Sequence, residues 1–265
     1  MSDESDNLVE YASSDRIATI TLNRPDKLNA VNDDMVRSLA AALQRFDTDD
    51  DAWVAILCGR GRAFSSGADV QQRQLRSREE FLRHGGAQAQ DASSHELFLR
   101  AVNWKPVISA VHGYVLGLAL GLMLETDLIV AEAGTKLQVT ETPRGLSGAK
   151  YWALLNFRGA GAFGTDIALT GRFFTAEEAH AAGVIERVAP AGQLMQVARE
   201  LAAQVAKNPP LGVRSTIRTR RWHLERLTRE VLLQVNLAKL HLTEDFRESA
   251  RAFAEKRPPA PYRGR

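Results

Sequence analysis

Two stretches of this chain have the composition that a backbone anion site requires. Gly59-Arg60-Gly61-Arg62-Ala63-Phe64-Ser65-Ser66-Gly67-Ala68-Asp69 follows an apolar run ending at Cys58, and Gly113, Gly117 and Gly121 follow the β-branched run Val107-Ile108-Ser109-Ala110-Val111. Each is a glycine-bearing turn after a buried strand. Such turns can present backbone N–H groups to a charge that develops on a reacting oxygen.

Other chemistries find less support. Cys58 is the only cysteine, so no internal disulfide can form, and its place at the end of Ala52-Trp53-Val54-Ala55-Ile56-Leu57 reads as a buried, inert thiol. The six histidines (His84, His95, His112, His180, His223, His241) are scattered without ligand spacing, so no metal is expected. Ser65, Ser66 and Ser147 lie in glycine-rich turns, but none sits in a Gly-x-Ser-x-Gly elbow. There is no Walker loop, and Gly113, Gly117 and Gly121 do not match a dinucleotide fingerprint.

The elements that position the glycines read as strand and helix in alternation. Residues 16–22 alternate apolar and Thr side chains at their end and predict a half-buried strand. Asn32 and Asp33 can cap a helix carrying Met35, Leu39, Leu43 and Phe46 on one stripe, and a strand ending at Cys58 follows. A polar helical region is expected around residues 70–103. Val107–Val111 reads as a strand, His112-Gly113 as a turn, residues 117–124 as a core helix and residues 128–131 as another buried strand. The uncharged length from Val107 to Leu124 reaches that of a membrane span, but its β-branched start and internal break argue for a folded core. Beyond about residue 190 only helical patterns remain: residues 193–207, a helix starting at Pro209-Pro210, and a third stripe opening at Leu224, Leu227 and Val231. Pro258-Pro259-Ala260-Pro261 then ends the helical layer in a tail.

The composition, 45% hydrophobic and 25% charged, is that of a globular protein, and 34 Lys and Arg against 32 Asp and Glu argue against wholesale nucleic-acid binding. The C-terminal part is locally basic, with 13 basic and 6 acidic residues from Arg214 onward. That excess reads either as a solvated helical face or as a contribution to binding a phosphorylated ligand. The first six residues are acidic and polar, unlike a secretory signal, and a cytoplasmic location is expected.

Several ordered motifs resemble one family. Asn23-Arg24-Pro25-Asp26-Lys27-Leu28-Asn29-Ala30-Val31, Ala63-Phe64-Ser65-Ser66-Gly67-Ala68-Asp69, Lys105-Pro106-Val107-Ile108-Ser109-Ala110-Val111-His112-Gly113-Tyr114, Glu125-Thr126-Asp127-Leu128-Ile129-Val130-Ala131 and Leu169-Thr170-Gly171-Arg172 are similar to successive landmarks of the crotonase (enoyl-CoA hydratase/isomerase) superfamily. The resemblance implies an α/β fold, a crotonase-like spiral of ββα units over residues 1–190, with a C-terminal helical trimerisation region over 191–265. It implies an acyl-CoA thioester as substrate, a homotrimer or dimer of trimers, no membrane span, and no cofactor, coenzyme A being part of the substrate.

Residue by residue, the resemblance places oxyanion contacts at the N–H groups of Ala68 and Leu118, where the family usually has glycine at the second position. Asp26, Lys27, Leu28 and Ala30 match the loop that lies along the nucleotide and pantetheine. Ser66, Gly67, Asp69 and Val70 flank the first donor, Tyr114, Gly117 and Gly121 surround the second, and Phe253 and Lys256 match a C-terminal element that reaches the nucleotide end of the ligand. Hydratases of the family commonly use two glutamates. Gly121 falls on the first of those positions and Glu141 on the second, so Glu141 is the candidate acid/base, with Thr140 and Arg144 beside it. Read without the resemblance, Glu141 is an ordinary surface glutamate. The stretch after it, Gly145-Leu146-Ser147-Gly148-Ala149-Lys150-Tyr151-Trp152, departs from the family's proline-and-glycine pattern, and Arg144, Lys150 and Tyr151 read equally well as pocket-lining or as packing residues. The implied reaction is hydration or double-bond shift of an enoyl-CoA. A hydrolase, decarboxylase or carbon–carbon lyase of the same superfamily, and a silent acyl-CoA- or RNA-binding relative, are the alternatives.

Overall fold

The computed structural model describes residues 8–73, 75, 79–80 and 104–265; of Arg73 and residues 236–238 it describes the backbone alone. The region expected to be helical at 70–103 therefore lies mostly outside the described residues, as does the acidic tip.

A six-stranded sheet forms the centre, in the order β1-β2-β3-β4-β6-β9. Its strands are β1 (Val9–Ser14), β2 (Ile17–Leu22), β3 (Val54–Gly59), β4 (Val107–Val111), β6 (Leu128–Glu132) and β9 (Arg187–Ala189). β1 pairs antiparallel with β2, and every other neighbour is parallel. β4 is buried at all five positions, as expected of a parallel strand covered on both faces. Alternate side chains divide the core in two. Ile20, Leu22, Leu57 and Val111 belong to the core that includes the buried stripe of α1 (Asp33–Thr48), while Ile17, Ile56, Cys58, Ile108 and Val130 pack with Leu194, Ala198 and Leu201 of a later helix, α7 (Leu194–Ala206).

α1 starts where the cap was expected. Asn32 Oδ1 accepts a 2.8 Å hydrogen bond from the Met35 N–H, and Asp33 and Asp34 complement the helix dipole in the first turn. Met35, Leu39, Leu43 and Phe46 are all buried, confirming the predicted stripe. At its far end the buried Lys105 ammonium donates to the carbonyls of Phe46 and Asp49.

A second, three-stranded sheet consists of β5 (Tyr114–Leu116), β7 (Lys136–Gln138) and β8 (Phe173–Thr175). The sequence reading takes the segment containing β5 as a turn, because three residues are too few to show alternation. The intervening helices are α2 (Val70–Arg73), α3 (Leu118–Glu125), α4 (Ala149–Phe157), α5 (Gly161–Thr170) and α6 (Ala176–Ala181).

The C-terminal region is helical, with one correction. Two helices were expected from Pro209-Pro210 and from Leu224, but a single 29-residue helix, α8 (Pro210–Ala238), covers both, since no Pro or Gly follows Gly212 within it. Lys239 ends it at φ 45°. Asp127, at the base of α3, holds α8 to the core: Oδ1 lies 3.2 Å from Arg220 and Oδ2 2.5 Å from Arg221, while Oδ2 also accepts from the Val107 N–H. The last helix, α9 (Glu244–Ala254), packs on the turn Thr142–Arg144, and the tail folds back on both: Tyr262 and Ser249 each donate to the Pro143 carbonyl.

Candidate active site

The first glycine-bearing turn is fixed from behind by Asn29. Its fully buried side chain donates to the carbonyls of Arg60, Ala63 and Phe64 and accepts from the Arg24 N–H. Ser65 Oγ donates to the Asn29 carbonyl and accepts from the Gly67 N–H. A parallel bridge then joins Val31 to Ala68, formed by the Val31 N–H to the Gly67 carbonyl and by the Asp69 N–H to the Val31 carbonyl. The bridge leaves the Ala68 N–H without a protein acceptor among the described residues.

The second turn lies against the first. Ser65 bridges Val115, with 3.2 Å bonds to the Tyr114 carbonyl and from the Leu116 N–H. Gly67, at φ 89°, is so close that a β-carbon there would run into the Leu116 carbonyl oxygen and would lie 3.6 Å from the Leu118 nitrogen. Leu118 is the first residue of α3, after Gly117 at φ 49°, so its N–H belongs to the helix end whose donors have no intrahelical partner. Two N–H groups from separate turns, neither with an acceptor among the described residues, are thus neighbours.

Glu141 closes the third side. A β-carbon on Gly117 would meet the Thr140 hydroxyl and lie 3.1 Å from Glu141 Oε1, which places the carboxylate directly beside the start of α3. Tyr151 Oη donates to Glu141 Oε1 at 2.6 Å, and Thr140 Oγ1 approaches Oε2 at 3.4 Å. Burial raises the Glu141 pKa above its ordinary value, and the Tyr151 hydrogen bond, the residue's own backbone N–H, the Arg144 charge and Thr140 oppose that rise. A carboxyl raised in this way is closer to the range useful for proton transfer. Arg144 stacks on the Phe253 ring at 4.1 Å, and burial lowers its pKa against the pull of Glu141.

Gly121 lies one turn into α3. A β-carbon there would sit 3.4 Å from the Tyr151 ring and 3.7 Å from its hydroxyl, so the space beside Gly121 holds the phenol. Behind it, Lys150 Nζ lies 2.5 Å from Glu125 Oε1, both side chains almost wholly buried, and Oε2 has no hydrogen-bond partner among the described residues. Neither the Tyr151–Glu141 bond nor the Lys150–Glu125 pair follows from the sequence reading. Their one sequence signal is a charge at Glu125 in an otherwise uncharged run, four residues after Gly121, and two polar side chains adjacent on α4.

The remaining expected residues are placed as follows. Asp26 and Lys27 are exposed in the short turn Pro25–Lys27, and Leu28, at φ 49°, accepts from the Ser66 N–H, so this loop borders the first donor turn. Ala30 accepts from Arg24, which also pairs with Asp69 at 2.7 Å, and Val70 begins α2. Tyr114 is 40% exposed at the start of β5. Phe253 sits on Arg144 of its own chain, and Lys256 is exposed just beyond α9. Cys58 is buried, and burial raises its thiol pKa, away from nucleophilic use.

The sequence profile of the enoyl-CoA hydratase/isomerase family matches residues 12–264. The chain belongs to that family. A Thermus thermophilus protein provisionally named an enoyl-CoA hydratase is 34% identical, the match covering 92% of this chain and 96% of the relative. The mevalonyl-coenzyme A hydratase of Aspergillus fumigatus is 32% identical over 92% of this chain and 90% of its own. Among solved structures, an enoyl-CoA hydratase/isomerase from Pseudoalteromonas atlantica superposes with a TM-score of 0.82 at 26% identity, covering 96% of this chain and 100% of that one. The fold is therefore the crotonase fold, mixed α/β with a C-terminal helical region, and the chain is an acyl-CoA enzyme of that superfamily. Among the described residues no helix is long and apolar enough to cross a membrane.

Proposed function

We propose that this enzyme transfers a proton next to the thioester of an enoyl-CoA, with Glu141 as the acid/base and the N–H groups of Ala68 and Leu118 holding the thioester oxygen as it becomes an enolate. The observation that carries this reading is the position of the Glu141 carboxylate beside Gly117, next to the N–H groups of Ala68 and Leu118, which have no acceptor among the described residues. Charge on the enolate oxygen is stabilised by fixed dipoles, and a carboxylate raised by burial can take a proton from one carbon and return it to another. Gly121 has no side chain to supply a second carboxylate, which favours a double-bond shift by a single base. Hydration is the second reading, favoured by relatives whose names are those of hydratases. In this proposal the thioester's coenzyme A runs past Asp26, Lys27, Leu28 and Ala30, no other cofactor is required, and residues 191–265 assemble the chain into trimers in the cytoplasm.

The experiment is a panel of 2-enoyl- and 3-enoyl-CoA thioesters in heavy-oxygen water, for the wild type and Glu141→Gln. A shifted double bond without incorporated oxygen means isomerisation, and incorporated oxygen in a hydroxyacyl product means hydration. Glu141→Gln is expected to lose about 10²- to 10⁴-fold in turnover while retaining affinity for the CoA ligand. The acid limb of wild-type activity is expected above the range of an ordinary glutamate. No product from any thioester, or an unchanged rate in Glu141→Gln, would overturn the reading.

A further inference from the structure

The space beside Gly121 is filled, although no side chain of α3 fills it. Tyr151 reaches it from α4, with its ring 3.4 Å and its hydroxyl 3.7 Å from the position of a residue-121 β-carbon, and with its hydroxyl 2.6 Å from Glu141 Oε1. Tyr151 is 4% exposed, and no other residue takes a hydrogen bond from its hydroxyl among those described. A longer side chain at 121 would claim the phenol's volume. Gly121 and Tyr151 are therefore one arrangement: the absence at 121 is what admits the phenol.

We propose that Tyr151 is a positioning residue for Glu141, the polar group that takes the place of a side chain at 121 and locks one carboxylate oxygen, Oε1, so that Oε2 is the oxygen that exchanges protons with the thioester substrate. Tyr151 engages Oε1 at 2.6 Å, whereas the side-chain contact to Oε2 is the long 3.4 Å one from Thr140, so Oε2 is the less tightly held by side chains. Tyr151 suits this task as a donor. Burial, the Glu141 charge and hydrogen bond, and the Glu125 charge all raise its pKa well above that of a free phenol, which keeps its proton on. Glu125 lies one helical turn beyond Gly121 on α3, held by Lys150, the residue before Tyr151. The groups that bear on Glu141 are thus Tyr151 directly, Thr140 and Arg144 on its own turn, and Glu125 with Lys150 through Tyr151. From α9 and the tail, Asp245 packs its backbone against Gly145, its carboxylate engaged by the N–H groups of Arg263 and Gly264, and Tyr262 donates to Pro143.

This inference rests on Glu141 being the acid/base. The test uses the full chain and four forms, wild type, Tyr151→Phe, Glu141→Gln and the double variant, assayed by exchange of the α-hydrogens of butyryl-CoA with heavy water and by the pH dependence of kcat/KM on the fastest thioester of the panel. Tyr151→Phe removes one oxygen and keeps the ring. It is expected to lower exchange and kcat/KM about 10- to 100-fold with the dissociation constant for butyryl-CoA unchanged within about threefold. Losing the donor raises the Glu141 pKa further, so the acid limb moves to higher pH. In the Glu141→Gln background the same change is expected to cost nothing more, because both act through one bond. An unchanged rate and acid limb in Tyr151→Phe, or a loss that adds fully to that of Glu141→Gln, would overturn the positioning role alone. Wild-type exchange retained by Glu141→Gln overturns both readings.

Discussion

Replacing Lys150 by methionine tests the buried pair behind the candidate site. Lys150 and Glu125 lie 2.5 Å apart with side chains 7% and 0% exposed, so the variant leaves a carboxylate with no compensating charge in a dry place. If Glu125 stays ionised, removal of one partner of such a pair costs about 3–5 kcal/mol. If it takes a proton instead, the loss relative to the wild type grows by about 1.4 kcal/mol for each pH unit above the wild-type folded pKa of Glu125, which burial holds above the ordinary value near 4.3, so it is at most about 3.7 kcal/mol at pH 7 and at most about 1 kcal/mol at pH 5. The cheaper route sets the loss, which is at most about 3.7 kcal/mol at neutral pH. Their sign is fixed by burial, which already raises the Glu125 pKa in the wild type against the pull of Lys150. With Lys150 gone the folded pKa rises further, so the variant stays near wild-type stability until pH passes the wild-type folded pKa of Glu125 and falls away from it as pH rises beyond that. Urea unfolding of both proteins at pH 5 and pH 7, at one protein concentration, measures the difference. No measurable loss at pH 7, or the same loss at both pH values, would refute the reasoning. The double change Glu125→Leu with Lys150→Met removes both charges and is expected to recover most of the stability.

Two further perturbations separate backbone from side chain at the paired turns. Gly67→Ala forces a β-carbon at φ 89° against the Leu116 carbonyl, so it is expected to cost about 1–3 kcal/mol in strain and to lower turnover about 10- to 100-fold by moving the Ala68 and Leu118 donors apart; urea unfolding and kcat on the fastest thioester check both. Leu118→Gly keeps the N–H and removes only the side chain. Its kcat/KM is expected within about tenfold of wild type, with a broader acyl-chain preference in the thioester panel.

Much of this architecture was readable where the signal is local. The Asn32 cap, the α1 stripe, the buried β4 and the two glycine-bearing turns each follow from neighbouring residues, and all are found, whereas the pairing of the two turns is a long-range contact. Glu141 was readable only through family resemblance, since its own surroundings are those of a polar turn. What escaped depends on contacts between distant segments. β5, β7 and β8 have three residues each, too short for a period, and exist because they pair with one another. The pair made by Gly121 and Tyr151 is separated by two strands and a turn, and it exists because α3 and α4 pack together. The packing of α9 on the Thr142–Arg144 turn is likewise a tertiary fact, carried by Ser249, Phe246 and Phe253.

The close approach of Gly67 to Leu116 also divides the positions that can vary from those that cannot. The proposed oxyanion site is carried by the main chain, fixed by residues 67 and 117, at both of which an added β-carbon has no room. The side chains at 118 and 151, and the space left by Gly121, border that frame without defining it. A mutational library that holds the two glycines and randomises the other three would alter which acyl groups enter while leaving the thioester anchorage in place. A scaffold built this way can acquire new substrates by small steps, because each trial begins from a site that already binds the common part of them all.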